Sequence, residues 1–139
     1  MDVGVATRRI LIVDDSAVSR ALLRSMLGAD RDVDWQVVEA GCPEAFLQVL
    51  GSQTLASQDA FSFDAVILDV RMPGMDGFEA CRLLRQVDPR VPILFVTADD
   101  SREGFRKGTS SGGDSYLAKP FSRAALKAAL HVLTSMKRR

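Results

Sequence analysis

The sequence predicts a doubly wound α/β domain: five short parallel strands alternating with five amphipathic helices. Two observations carry this. Three runs are apolar at every position, Ile10-Leu11-Ile12-Val13, Ala65-Val66-Ile67-Leu68 and Ile93-Leu94-Phe95-Val96. Strands of that texture are buried on both faces, which calls for a parallel sheet covered by helices. Between them lie stretches with helical spacing of apolar residues, and no internal repeat or low-complexity segment interrupts the alternation.

Taken in order, the first strand is Ile10 to Val13. Ser16 then caps a helix carrying Val18, Leu22, Leu23, Met26 and Leu27, stopped at Gly28. Gln36-Val37-Val38 is a weaker second strand, with Trp35 at or just before its start as a packing residue. Pro43 suits a first helical turn and leads into Ala45, Phe46, Val49 and Leu50. Gly51 to Ser62 is long and polar for a connection, so an extended helix end or a mobile loop is expected. After the third strand, Asp76 with Glu79 resembles a capping box ahead of Phe78, Cys81 and Leu84.

The fourth helix must lie within Ser101 to Ser115, which contains Gly104, Gly108, Gly112 and Gly113 and has Phe105 as nearly its only large apolar residue. An interior glycine costs a helix about 1 kcal/mol relative to alanine, so this helix should be short or easily loosened. Tyr116-Leu117 is the fifth strand. The last helix places Leu126, Leu130 and Leu133 on one face. Its alanines, Ala124, Ala125, Ala128 and Ala129, fit either helix propensity or a docking face, and His131 reads as a surface helix residue.

A chain of 139 residues is the size of one domain, and 47% hydrophobic residues supply a core. Eighteen basic and 18 acidic residues give no net charge, which argues against nucleic acid as a direct partner. The terminal Lys137-Arg138-Arg139 suits a helix C-terminus or begins a linker. Cys42 and Cys81 have no metal-ligand spacing, and no secretory segment precedes them. Reduced thiols and a cytoplasmic location are expected. No apolar run has membrane-spanning length, so no membrane association is expected.

The chemistry gathers at strand ends. The first strand ends in Asp14-Asp15, the third in Asp69, the fourth in Thr97 and the fifth near Lys119. A parallel sheet brings its C-terminal strand ends to one edge, where ligands bind. Three carboxylates there repel one another, and a divalent cation resolves the conflict. With oxygen ligands alone on offer, the ion is hard, and Mg2+ fits. Lys119 adds a positive charge and Thr97 a hydroxyl. Around a nucleophilic carboxylate this makes a receptor for a phosphoryl group in transfer.

The segments I-L-I-V-D-D-S (10–16), V-I-L-D-V-R-M-P-G-M-D-G (66–77), F-V-T-A (95–98) and Y-L-A-K-P-F (116–121), in this order and spacing, resemble the receiver domain of two-component response regulators. That family has the flavodoxin-like fold of the chemotaxis response regulator, a five-stranded sheet of order 2-1-3-4-5. The resemblance implies Asp69 as phosphoacceptor. Asp14, Asp15, Asp69 and the backbone carbonyl of Arg71 match the magnesium site, with Asp15 a direct ligand. Thr97 and Lys119 match the residues that bond the phosphoryl group, and Tyr116 the aromatic switch residue. The Lys119-Pro120 bond is cis in the family.

Implied partners are a histidine kinase or histidine phosphotransfer protein, and a downstream effector protein or a C-terminal output domain not present here. Output would pass through the face formed by the fourth helix, fifth strand and fifth helix. The domain is expected to be no enzyme beyond self-catalysed phosphotransfer and autodephosphorylation. Residues 1–8 are expected as an N-terminal extension, 9–134 as the receiver domain and 135–139 as a basic tail.

The family varies two residues after the acceptor and two after the threonine, here Arg71 and Asp99, which are expected to pair and tune dephosphorylation. The stretch Lys107 to Gly113 departs from the alanine- and leucine-rich fourth helix of the family and is expected to be ordered by phosphorylation or by a partner. Haloacid-dehalogenase-like phosphatases also use an aspartate after a buried strand, but need a second aspartate where this chain has Arg71. The remaining alternative is a pseudo-receiver that binds partners without phosphorylation. Such modules lose members of the acidic site, and this chain retains them.

Overall fold

Each run apolar at every position forms a buried strand: β1 (Ala6–Val13), β3 (Ala65–Leu68) and β4 (Ile93–Thr97). β2 (Val33–Ala40) and β5 (Ser115–Ala118) complete the sheet. The helices are α1 (Ala17–Gly28), α2 (Pro43–Ala56), α3 (Gly77–Val87), α4 (Arg102–Ser110) and α5 (Arg123–Ser135). The structure, a computed structural model, describes residues 5–56, 63–98 and 101–135.

All strands are parallel, in the order β2-β1-β3-β4-β5. Val13 stands between Ala40 and Leu68, and Thr97 beside Ala118. The strands therefore end close to one line, and the order reverses between β1 and β3, where a crevice opens at the C-terminal edge.

Period-two alternation sorts the strand residues into two layers. Ile10, Ile12, Ile67, Leu94 and Val96 pack on Leu23, Leu27, Leu126, Leu130 and Leu133 of α1 and α5. Leu11, Val13, Val66, Leu68, Ile93 and Phe95 pack on Phe46 and Leu50 of α2 and on Ala80, Cys81 and Leu84 of α3. Both cysteines are free thiols, Cys42 exposed and Cys81 buried. No helix among the described residues is long and apolar enough to cross a membrane.

Helix starts follow their caps. Ser16 accepts from the Ser19 N–H at 3.1 Å, Asp76 from Glu79 N–H at 2.8 Å and Ser101 from Gly104 N–H at 3.0 Å. Several expectations need correction. β1 starts at Ala6, inside the segment assigned to an N-terminal extension. β2 is longer than Gln36–Val38 because Val33 and Trp35 alternate inward past the exposed Asp34, the pattern of an edge strand. On α1, Leu23 and Leu27 are buried, but Val18 and Leu22 stand 79% and 53% exposed. The helix is packed along a narrower stripe than its apolar residues cover.

The connection after Leu50 begins as a continuation of α2 to Ala56; residues 57–62 lie outside the described residues, as do 136–139 of the basic tail. α4 is the shortest helix, with nine residues. Its buried residues are Gly104 and Gly108. A Cβ on Gly108 would lie 3.1 Å from the Phe95 ring and 3.2 Å from the Tyr116 ring. Gly108 lets the helix backbone approach these two strand residues directly.

Candidate functional site

Four strand ends deliver the predicted residues to the crevice. Asp14 follows β1 and is wholly buried; Asp15, next to it, is exposed. Asp69 follows β3, and Thr97, wholly buried, ends β4. Lys119 follows β5, and its N–H donates to the Thr97 carbonyl at 2.7 Å. Main-chain bonds extend the sheet into the site: Asp14 N–H to the Ala40 carbonyl at 3.1 Å and Asp69 N–H to the Val13 carbonyl at 2.9 Å. The aspartates thus leave from a stiff edge.

The carboxylates of Asp14, Asp15 and Asp69 each offer an oxygen within 4.8 Å of the others. The Lys119 ammonium sits between two of them, 3.2 Å from Asp14 Oδ2 and 3.2 Å from Asp69 Oδ2. Its third proton goes to Ser19 Oγ at 3.0 Å. The Ser16 N–H fixes Asp14 Oδ1 at 2.9 Å, and the Arg71 N–H fixes Asp69 Oδ1 at 3.0 Å. The Lys119-Pro120 peptide is cis.

Burial holds the Asp69 carboxyl above the ordinary carboxylate range, and the Asp14 charge adds to this, against the Arg71 N–H and the Lys119 charge. Lys119 is lowered by its own burial, but the charges of Asp69 and Asp14 outweigh that and leave it raised. Among the described residues Lys119 is the cation paired with this cluster, and one ammonium against three carboxylates leaves it short of positive charge. The donor set is all oxygen and partly buried, which suits a hard dication with room for further ligands. Arg71, whose backbone carbonyl is the fourth expected ligand, follows Asp69 by two residues.

The β3–α3 loop is shaped for this edge. Gly77 N–H donates to the Val70 carbonyl at 2.8 Å. A Cβ on Gly77 would collide with the Asp69 carbonyl and lie 2.8 Å from Val70 Cα, so glycine is required by close approach. Gly74 turns the loop at φ +88°. Arg71 is exposed on the rim, in a hollow also lined by Asp15, Asp76 and Lys107. Asp99, its expected partner, lies outside the described residues.

The Tyr116 ring packs with its centroid 6.2 Å from that of Phe95 and 6.0 Å from that of Phe105 of α4. His131 is not a plain surface residue: it is partly covered, with Nε2 2.7 Å from Asp30 Oδ2.

Ser19 and Arg20 also reach the site, although neither stands at a strand end. Both lie in the first turns of α1, whose side chains lean back toward the helix N-terminus and hence toward the strand ends. The Ser16 cap, which fixes where that helix starts, was the available signal.

Residues 10–131 match the family model described as response regulator receiver domain. The transcriptional regulatory protein TcrA of Mycobacterium tuberculosis is 35% identical over 91% of this chain and 46% of its own length. The response regulator MprA of Mycolicibacterium vanbaalenii is 38% identical over 90% of this chain and 49% of its own length. The chain thus spans about half the length of these relatives. Among solved structures, the chemotaxis protein CheY4 of Vibrio cholerae aligns with a TM-score of 0.75 at 30% identity, covering 92% of this chain and 99% of that one. The receiver domain of the sensor histidine kinase PA1611 of Pseudomonas aeruginosa, solved with a magnesium ion in its active-site cleft, aligns with a TM-score of 0.74 at 29% identity, covering 94% and 99%.

Proposed function

This chain belongs to the response regulator receiver domain family, and from that premise we propose that it is a phosphoacceptor switch in which Asp69 takes the phosphoryl group. The observation that carries the reading is the Lys119 ammonium held 3.2 Å from both Asp14 and Asp69 at the sheet edge.

Asp14, Asp15 and Asp69, with the Arg71 carbonyl, would hold Mg2+. When bound, it neutralises the carboxylates and stabilises charge on the phosphoryl oxygens. The donor is a phosphohistidine on a histidine kinase or phosphotransfer protein. An Asp69 oxygen attacks phosphorus in line and a P–O bond forms. The P–N bond breaks, and its electron pair stays on the imidazole nitrogen, which takes up a proton. Asp69 is oriented for this by the Arg71 N–H on its other oxygen. Lys119 then pairs with the phosphoryl group, and the Thr97 hydroxyl donates to it.

Recruitment of Thr97 makes room for Tyr116 to turn inward. α4 is seated on the sheet through Gly108, against the rings of Phe95 and Tyr116, and through the Phe105 ring against Tyr116, so a turn of Tyr116 bears directly on α4. The face of α4, β5 and α5 thereby changes affinity for an effector protein or an attached output domain, a population shift biased by local charge. Water later removes the phosphoryl group, at a rate tuned by Arg71 and Asp99. If Arg71→Ala and Asp99→Ala leave that rate unchanged, the tuning role is lost.

Intact mass after incubation with acetyl phosphate tests the reading. One added phosphoryl group is expected, dependent on Mg2+ and absent in Asp69→Asn. A folded protein that gains none would be a phosphorylation-independent binding module.

A further inference from the structure

On the β2 side of the acid pair lies a network that the phosphoryl-transfer roles leave unused. The Arg20 guanidinium donates from Nε to Glu39 Oε1 at 2.8 Å and from Nη1 to the backbone carbonyl of Asp14 at 2.7 Å. Glu39 is in turn held by Arg24, whose Nη2 is 2.7 Å from Oε2. The arginine hydrogen bonds, that of Arg24 foremost, keep the Glu39 carboxyl below its ordinary range despite partial burial. Arg20 is largely covered, with 20% of its side chain exposed. Even the neighbouring backbone makes room for it: a Cβ on Gly41 would lie 2.7 Å from Arg20 Nη1 and 3.0 Å from Cζ.

The carbonyl that Arg20 holds belongs to the peptide plane joining Asp14 to Asp15, so fixing it fixes the direction in which Asp15 leaves the chain. Asp14 has other restraints, the Ser16 N–H and Lys119. Asp15 is exposed and receives no hydrogen bond from any described residue, so its aim depends on the main chain beneath it. A guanidinium fork suits the task because its two donors engage two acceptors at fixed geometry. Glu39 aims that fork and offsets the positive charge that would otherwise oppose a dication nearby.

We propose that Arg20 is a positioning residue for the metal-binding acid pair: aimed by Glu39, it holds the Asp14 carbonyl and so presents Asp15 in its ligating direction before the metal arrives. This rests on the receiver reading above. Outer residues that orient metal ligands typically matter about 10- to 100-fold in affinity, and for one restraint among several the lower end is expected.

The test is a Mg2+ titration of the full chain, followed by the backbone amide resonances of residues 14–16, for wild type, Arg20→Ala, Arg20→Lys and Glu39→Gln, with folding checked by denaturation. Arg20→Ala is expected to weaken Mg2+ binding about tenfold. Arg20→Lys, which reaches one acceptor but not both, falls between it and wild type. Glu39→Gln, whose amide oxygen still accepts from Nε, loses least. Phosphorylation by acetyl phosphate should slow most at limiting Mg2+, with the gap narrowing at saturation. A folded Arg20→Ala with wild-type Mg2+ affinity overturns the proposal and leaves the receiver reading standing. Should Arg20→Ala fail to fold, unchanged affinity in both Arg20→Lys and Glu39→Gln overturns it equally. A wild type that binds no Mg2+ removes the metal from the receiver reading, and this inference with it.

Discussion

Two clusters in this molecule have nearly the same parts and opposite electrostatics. At the C-terminal sheet edge, Asp14, Asp15 and Asp69 surround Lys119; beside α5, Asp30 and Asp32 meet His131 and Lys127. Both central carboxylates are well covered, Asp69 with 11% and Asp30 with 4% of the side chain exposed. Burial pulls both upward. For Asp30 this is outweighed by the His131 hydrogen bond, the Asp32 N–H and the Trp35 indole N–H, and the carboxyl lies below its ordinary range. For Asp69 burial prevails, and the carboxyl lies above it. Asp30 has enough donors; Asp69 shares one ammonium with Asp14. A charge that is satisfied serves as a structural joint, here between the α1–β2 loop and α5. A charge left short of partners, as at Asp69, fits the proposed role of receiving a cation and a phosphoryl group.

The contrast can be broken at either end. The largest effect comes from metal. Mg2+ at a hundred times its Kd should raise the unfolding free energy by about 2.7 kcal/mol, with amide shifts at residues 14–16 and 69–71 and none at 30–32 or 131. Shifts centred on Asp30 would reverse the assignment. Next is Asp30→Ala, which strands the Trp35 N–H and removes the His131 partner. It should cost about 1–3 kcal/mol in urea denaturation at pH 7; a cost near zero would mean that the joint bears nothing.

Asp69→Asn acts in the other direction. A carboxyl raised in the folded state contributes stability that is full below its unfolded pKa and lost as pH rises through the folded one. Removing its charge should therefore stabilise the protein at pH 7, and the gain should vanish once pH falls below the ordinary carboxylate range, about 4. Asp30 has the reverse sign: its contribution is present above that range and lost as pH falls through its lowered value. Ser19→Ala is the smallest change. Lys119 keeps both carboxylates and reaches water, so stability should move by less than about 1 kcal/mol.

Much of this contrast was legible in the sequence, but only one side of it. Asp14, Asp15, Asp69, Thr97 and Lys119 each follow or end a strand, and parallel topology alone carries strand ends to one edge. Asp30 and His131 stand 101 residues apart and meet through the packing of α5 on α1, which no local pattern records. Val18 and Leu22 carry helical spacing but remain exposed, because periodicity reports a stripe and not its width. The glycines of α4 were legible as weak helix formers. That Gly108 is needed for the approach to Phe95 and Tyr116 depends on the third dimension.

The central claim is that the under-satisfied carboxylate, Asp69, is the phosphoacceptor. The most direct measurement is reduction of the acetyl phosphate-treated, Mg2+-loaded protein with borohydride, followed by peptide fragmentation. An aspartyl phosphate is reduced to homoserine, and unmodified carboxylates are left alone. Homoserine at position 69 and at no other carboxylate is the predicted result. Homoserine at position 14 or 15 instead, or none in a folded protein, would contradict the account.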